Sequence, residues 1–324
     1  MTVTSKKKIA LIGECMIQLQ LDSNGQIQKS FAGDTLNTAV YLSRLEHIHQ
    51  TEVHYITALG TDDFSDEMLQ QWKDEGIHCD SVRRLEGELP GMYYINVDEH
   101  GERSFLYWRS EAAAKKLLAP TTEPALTSLA DFDYIYLSGI SLAILPEEGR
   151  DKLIELLKAA RAQGSKVYFD NNFRPRLWQS KEDAQSWYKK VLSITDSAIL
   201  TYDDEEDLWG DQSTDATKAR CKECGISEIV IKRGSDPCLI ESADFVGEVA
   251  AQKVAKEAVV DTTAAGDSFS AGYLAGALTL TAKPNQSAAI GHLVAGTVIQ
   301  HLGGVIDKAP IAQLDSAIQQ ALKS

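Results

Sequence analysis

The sequence predicts an α/β protein: a three-layer αβα sandwich around a mainly parallel sheet, with a small β-sheet projecting over one end as a lid. Short apolar runs such as "KIALIGE", "VHYITALG", "DYIYLSG" and "EIVIKRG" alternate with amphipathic stretches such as "DTLNTAVYLSRL" and "EEGRDKLIELLKAARAQG". Strands joined through helices run parallel and are covered on both faces, so they read as unbroken apolar runs. One stretch, 91–109 ("GMYYINVDEHGERSFLYWR"), instead reads as two alternating strands joined by a polar turn.

Along the chain, a short basic tail leads into the strand "KIALIGE". Residues 14–33 alternate weakly and carry the turn signal Ser23-Asn24-Gly25, a second β excursion that can pair with 91–110 to make the lid. Helices follow at "DTLNTAVYLSRL" and "DDFSDEMLQQWKDEG", with "VHYITALG" as the strand between them. Beyond the hairpin the strands "DYIYLSG", "KVYFDN", "SAILTY" and "EIVIKRG" are separated by helices, among them "KEDAQSWYKKVLS". The run "VAKEAVVD" reads as β-like and leads into "TTAAGDSFSAGYLAGAL", a tight turn entering a helix of small residues. Glycines 272, 276, 291 and 296, with His292, read as close helix packing. The whole chain, 1–324, is one domain on this reading.

Composition excludes several classes of function. With 324 residues and 44% hydrophobic content the chain can bury a large core, and 32 basic against 47 acidic residues give a formal charge of -15. A nucleic-acid duplex or an anionic membrane would be repelled, so neither is expected as a partner. No apolar run reaches the roughly 18–20 residues a membrane span needs. Five scattered cysteines suit reduced thiols in the cytoplasm better than a disulfide framework, and Cys221–Cys224 lacks the second pair a metal site wants. No GxxxxGK[ST] loop and no GxGxxG at a strand-to-helix turn occurs, which disfavours a Walker ATPase or a dinucleotide oxidoreductase.

The stretch "DTTAAGD" carries the chemistry. Helix-start amides together with the macrodipole favour an anion at such a turn. Asp267 beside them can accept the proton of a hydroxyl attacking a phosphoryl group whose charge the amides hold. Read from this stretch alone, Asp267 is equally well a plain N-cap.

At this point the chain resembles a family, the ribokinase-like or PfkB sugar kinases. "DTTAAGD" is similar to their C-terminal signature D-T-x-G-A-G-D, and "FAGDTLNTAVYLSRLEHIHQTEVHYITALGTDDFSDEML" to their N-terminal one. The likeness spans nearly the whole chain. "GECMIQL", "LPGMYYINVDEHGERSFLYWR", "YLSGISLAIL" and "FDNNFRPRLW" are most similar to members that act on a 2-keto-3-deoxy sugar acid. The resemblance implies a ribokinase-like fold and ATP-dependent phosphorylation of a terminal hydroxyl. It implies Asp267 as base and the amides of Ala264, Ala265, Gly266 and Asp267 as anion hole, with Ala264 standing where most relatives have glycine. It further implies sugar contacts from Gly33, Asp34 and Asn37, and ATP contacts from Lys232 and Gly234. Thr201 and Asp204 stand where relatives carry an N-x-x-E motif that orients Mg2+. Asp261 and Thr263 match a loop for a monovalent cation such as K+. The lid implies a homo-oligomer.

Charge on the substrate discriminates further, because a carboxylate calls for a guanidinium that can take it bidentately. Arg109 ends the hairpin and Arg174 follows the strand "KVYFDN", so both can face the cleft; in the resembling kinases they share the pocket with Tyr93 and Tyr107. Tyr107 and Arg109 share one face of their strand. Tyr94, Phe105 and Trp108 read as lid packing. A kinase for a neutral sugar such as fructose and a non-catalytic sugar-acid sensor of the same fold are the alternatives.

Overall fold

The structure is a computed structural model that describes residues 6–22, 24–97, 103–120, 126–279 and 281–323. Ser23 and the hairpin turn at 98–102 lie outside the described residues. In chain order the strands are β1 (Lys8–Ile12), β2 (Met16–Leu21), β3 (Ile27–Ala32), β4 (Glu52–Ile56), β5 (Ala58–Leu59), β6 (Arg83–Arg84), β7 (Met92–Val97) and β8 (Arg103–Trp108). They continue as β9 (Tyr134–Ser138), β10 (Lys166–Asp170), β11 (Ser197–Thr201), β12 (Glu228–Arg233), β13 (Asp236–Glu241) and β14 (Val246–Val249).

The main sheet runs β14-β13-β12-β11-β10-β9-β1-β4. From β4 to β12 every pairing is parallel, and β13 and β14 extend the edge antiparallel. Period-two alternation sends side chains to two separate cores. Ile9, Leu11, Tyr134 and Tyr136 join one core, beneath the helices Asp34–Arg44, Ala265–Ala277 and Pro284–Val298. Ala10, Ile12, Ile135 and Leu137 join the other, beneath Glu147–Ala162 and Lys181–Leu192. Each fully buried Leu or Ile contributes about 1.5–3 kcal/mol, so both layers are tied to the sheet. Helices Ala265–Ala277 and Pro284–Val298 pack backbone to backbone: a Cβ on Gly272 would lie 2.8 Å from Gly291 Cα.

The second sheet, β3-β2-β7-β8, combines the two excursions, with β2 parallel to β7 and Ile17 opposite Met92. The run "VAKEAVVD" differs from the expectation. It holds only a short 3-10 turn, Lys256–Ala258, and no strand. The amides of Val260 and Asp261 donate to the carbonyl of Ile299 instead of to a sheet neighbour, and Val260 is 55% exposed. Its last amides are thus tied to the end of the helix Pro284–Val298 and not to the sheet edge at β14.

Candidate active site

Parallel strands deliver their carboxyl ends to one edge, and in this fold β1, β9, β10, β11 and β12 all do so. A cleft of about 1540 Å³ opens there beneath the small sheet. Gly33, Asp34, Asn37, Tyr93, Tyr107, Arg109, Arg174, Thr201, Asp204, Lys232, Gly234, Thr263, Ala264, Ala265, Gly266 and Asp267 all line it. Asp261 stands behind the lining, buried, where its carboxylate accepts from the amides of Thr263 and Gly303.

Asp267 is the third residue of the helix Ala265–Ala277, whose N-cap is Ala264 with no side-chain capping bond. The plain N-cap reading of Asp267 therefore fails. Its Oδ2 accepts from Asn37 Nδ2 at 2.9 Å, across the chain from the start of the helix Asp34–Arg44. Burial, with repulsion from Asp34, pushes its carboxyl up to about 8, while the Asn37 bond pulls the other way. Ala264 sits at φ 60°, a left-handed conformation that strains a Cβ-bearing residue by about 1 kcal/mol or more. This turn aims the first helical amides at the cleft. Of the four amides expected there, that of Ala265 donates to the Thr262 carbonyl at 3.2 Å, which leaves those of Ala264, Gly266 and Asp267 as the helix-start donors.

Lys232 supplies a positive charge at the same place. A Cβ on Gly266 would come 3.5 Å from Lys232 Nζ, which glycine leaves clear. Lys232 is buried and donates to Asp170 Oδ2 at 2.6 Å, and Ser270 Oγ and Tyr136 OH donate to that same oxygen. Three donors on one carboxylate oxygen fix where the ammonium sits.

Asp34, Asn37 and Gly33 form the floor. Gly33 lies under the Glu14 carbonyl, where a Cβ would come within 2.0 Å of the oxygen. Asp34 Oδ2 accepts from Ser138 Oγ and from Asn172 Nδ2, the latter at 2.9 Å, and burial raises its carboxyl. Among the described residues, Glu14 Oε1, Asn37 Oδ1 and Asn172 Oδ1 are buried acceptors with no donor. An unmet buried acceptor costs about 1–3 kcal/mol, which a hydroxyl-bearing ligand would relieve.

On the lid, Tyr93 is buried and its ring centroid lies 5.7 Å from that of Tyr107, whose ring is in turn 5.9 Å from the Arg109 guanidinium carbon. Arg109 pairs with Glu14, whose carboxyl burial raises. Arg174 faces Asp204 at 3.4 Å and donates to the Phe173 carbonyl. Burial pushes Asp204 up to about 6. Phe105, read as lid packing, also lines the cleft, whereas Trp108 turns outward and is 56% exposed. Gly234, at φ 59°, makes the tight turn between β12 and β13. Thr201 is bound at both backbone groups by the Asn171 side chain.

Residues that the sequence reading passed over are Ser138, Asp170, Asn172 and His292. The first three stand at or just after the carboxyl ends of β9 and β10, a position that was itself the available signal. His292, read as helix packing, lines the cleft with its ring 4.9 Å from Phe269; no local pattern announces it.

The description "pfkB family carbohydrate kinase" matches residues 6–311. The chain is 52% identical over 304 residues to 2-dehydro-3-deoxygluconokinase of Escherichia coli (strain K12), covering 93% of this chain and 98% of that one. It is 43% identical over 317 residues to the protein of the same name from Haemophilus influenzae, covering 96% and 99%. Among solved structures it is similar to a fructokinase with bound ATP from Xylella fastidiosa, with TM-score 0.78, 22% identity and coverage of 97% and 100%. Aminoimidazole riboside kinase from Salmonella enterica, complexed with aminoimidazole riboside and an ATP analog, gives TM-score 0.78 at 21% identity, covering 96% and 100%. Sequence, fold and cleft agree, and the chain belongs to the pfkB family of carbohydrate kinases.

Proposed function

We propose that the protein transfers the γ-phosphoryl group of ATP to the terminal (C6) hydroxyl of 2-keto-3-deoxy-D-gluconate, giving 2-keto-3-deoxy-6-phosphogluconate and ADP. The observation that carries this reading is one cleft holding a high-affinity proton acceptor, Asp267, at a helix start, together with two guanidiniums, Arg109 and Arg174. The relatives named 2-dehydro-3-deoxygluconokinase support the same substrate.

In this reading Asp267 takes the C6 hydroxyl proton as the oxygen attacks the γ-phosphorus and the bond to the bridging oxygen of ADP breaks. The Ala264, Gly266 and Asp267 amides and Lys232 hold the charge on the transferring group. Arg109 and Arg174 grip the substrate carboxylate, Tyr93 and Tyr107 wall it in, and Asp34, Asn37 and Gly33 receive its hydroxyls. Lys232 and Gly234 flank the nucleotide. The carboxylate of Asp204 is a hard oxygen donor that burial makes costly to ionise alone, which suits Mg2+ held beside Thr201 and Asp204; the ion neutralises phosphate charge when bound. Asp261 and Thr263, joined by a hydrogen bond of 2.9 Å, extend the proposal to a K+ ion beside the same loop.

Leu106 and Trp108 are 53% and 56% exposed on the outer face of the small sheet, and this apolar patch supports a homo-oligomer assembled through the lid. No helix among the described residues is long and apolar enough to cross a membrane; the free cysteines support a cytoplasmic enzyme acting on small molecules. The test is ADP release across a panel of sugars and sugar acids. The reading predicts turnover with 2-keto-3-deoxygluconate far above that with fructose; equal rates would overturn the assignment of the substrate.

A further inference from the structure

At the opposite end of the sheet from the cleft, Glu52, His54 and His78 bring three metal-ligating side chains together, with their ligand atoms all within 4.8 Å of one another. Glu52 and His54 lie two apart on β4, so the strand's period puts both on one face. Glu52 starts β4 opposite Lys8, which starts β1, so the cluster belongs to the amino-terminal edge of the parallel strands. None of the three lines the catalytic cleft.

His78 arrives from a different part of the chain. Its backbone extends the free edge of β4: its amide donates to the Val53 carbonyl at 2.8 Å and its carbonyl accepts from Tyr55 at 3.0 Å. That pairing lays the two imidazoles side by side, with ring centroids 4.6 Å apart and planes 20° apart. His54 is 7% exposed and packs edge-on against Phe132. Its Nε2 is buried with no hydrogen-bond partner among the described residues, and the nearest Glu52 oxygen, at 3.6 Å, is too far to provide one. A buried imidazole nitrogen without a partner costs free energy unless something occupies it.

We propose that Glu52, His54 and His78 form a binding site for a zinc-class divalent cation that ties the segment around His78 to the sheet edge. Two imidazoles and one carboxylate are a donor set that zinc takes with water as a fourth ligand. Zn–N and Zn–O bonds of about 2.0–2.2 Å require the three ligand atoms to close in by roughly an ångström, a rotamer adjustment open to Glu52 and His78. Lys8, opposite Glu52, is a cation the cluster must tolerate, while the formal charge of -15 favours cations overall. Borderline metals such as zinc fit this set; Mg2+, which prefers oxygen, does not.

The test uses untagged full-length protein stripped with EDTA and titrated calorimetrically with ZnCl2, with MgCl2 as control and thermal unfolding as a second readout. Expected are one Zn2+ per chain at micromolar affinity or tighter, a rise in Tm with Zn2+ and none with Mg2+. His78→Gln, which keeps the backbone pairing with β4, should weaken Zn2+ binding about tenfold or more and abolish the Tm rise, with kinase turnover unchanged. Glu52→Gln should weaken it less. Equal Zn2+ affinity in His78→Gln, or no saturable binding by the unsubstituted protein, would overturn the proposal.

Discussion

Replacing Asp267 with Asn should stabilise the protein while slowing its chemistry by orders of magnitude. Burial raises this carboxyl from 3.8 to about 8 in the folded state. As pH climbs, the unfolded chain releases its proton first, so the stability this group contributes is complete below pH 3.8 and is lost as pH rises toward 8. From 3.8 to pH 7, at about 1.36 kcal/mol per pH unit, the ceiling of that loss is about 4 kcal/mol. Asp267 faces the cleft and keeps the Asn37 bond, so about 2 kcal/mol is the working expectation. Asn carries no charge and keeps an oxygen for the Asn37 donor. Calorimetric Tm of both proteins should therefore separate by a few degrees at pH 7–8 and converge near pH 4. Turnover should fall by about 10²–10⁴, the range for a lost general base. A variant that unfolds earlier than the parent at pH 8, or that retains full turnover, would refute the reasoning.

Four further outcomes follow from the same geometry. In the unsubstituted enzyme, kcat/KM for the sugar acid should rise about tenfold per pH unit below pH 8 and level off above it, as Asp267 ionises; a flat profile from pH 6 to 9 would contradict this. Arg109→Ala and Arg174→Ala should each raise KM for the sugar acid about 10–100-fold, the equivalent of about 1.5–3 kcal/mol for a charged hydrogen bond, and leave KM for a neutral sugar nearly unchanged. Ala264→Gly should raise stability in denaturant unfolding by up to about 1 kcal/mol by relieving the left-handed φ of 60°. Lys232→Met should cost about 3–5 kcal/mol by stranding the buried Asp170 carboxylate, and adding Asp170→Asn should restore stability without restoring turnover.

The sheet and its layers were legible because alternation within each strand is a local signal: Ile9 and Leu11 face one core, Ala10 and Ile12 the other. The helix start at Asp267 was legible for the same reason, since small residues and a carboxylate at a strand-to-helix turn are local chemistry. What was not legible depends on residues far apart in the chain. Asp170 and Lys232 are 62 positions apart, and Asn37 and Asp267 are 230 apart, so neither pairing has a local signature. The pairing of Glu14 with Arg109 likewise waits for the lid to fold against β1's end. "VAKEAVVD" misled because its valines suit a strand, yet strand formation depends on tertiary pairing, and here the amides of Val260 and Asp261 bond to the Ile299 carbonyl at a helix end. The strain at Ala264 depends on a positive φ that the sequence alone does not reveal.

The central claim is a phosphoryl transfer to one particular oxygen, and ³¹P NMR of the protein incubated with 2-keto-3-deoxygluconate, ATP and Mg2+ tests it most directly. The account predicts ADP and a single phosphomonoester signal coupled to the two C6 protons, both formed about 10²–10⁴-fold more slowly with Asp267→Asn. Release of inorganic phosphate alone, or a phosphomonoester at another carbon, would contradict it.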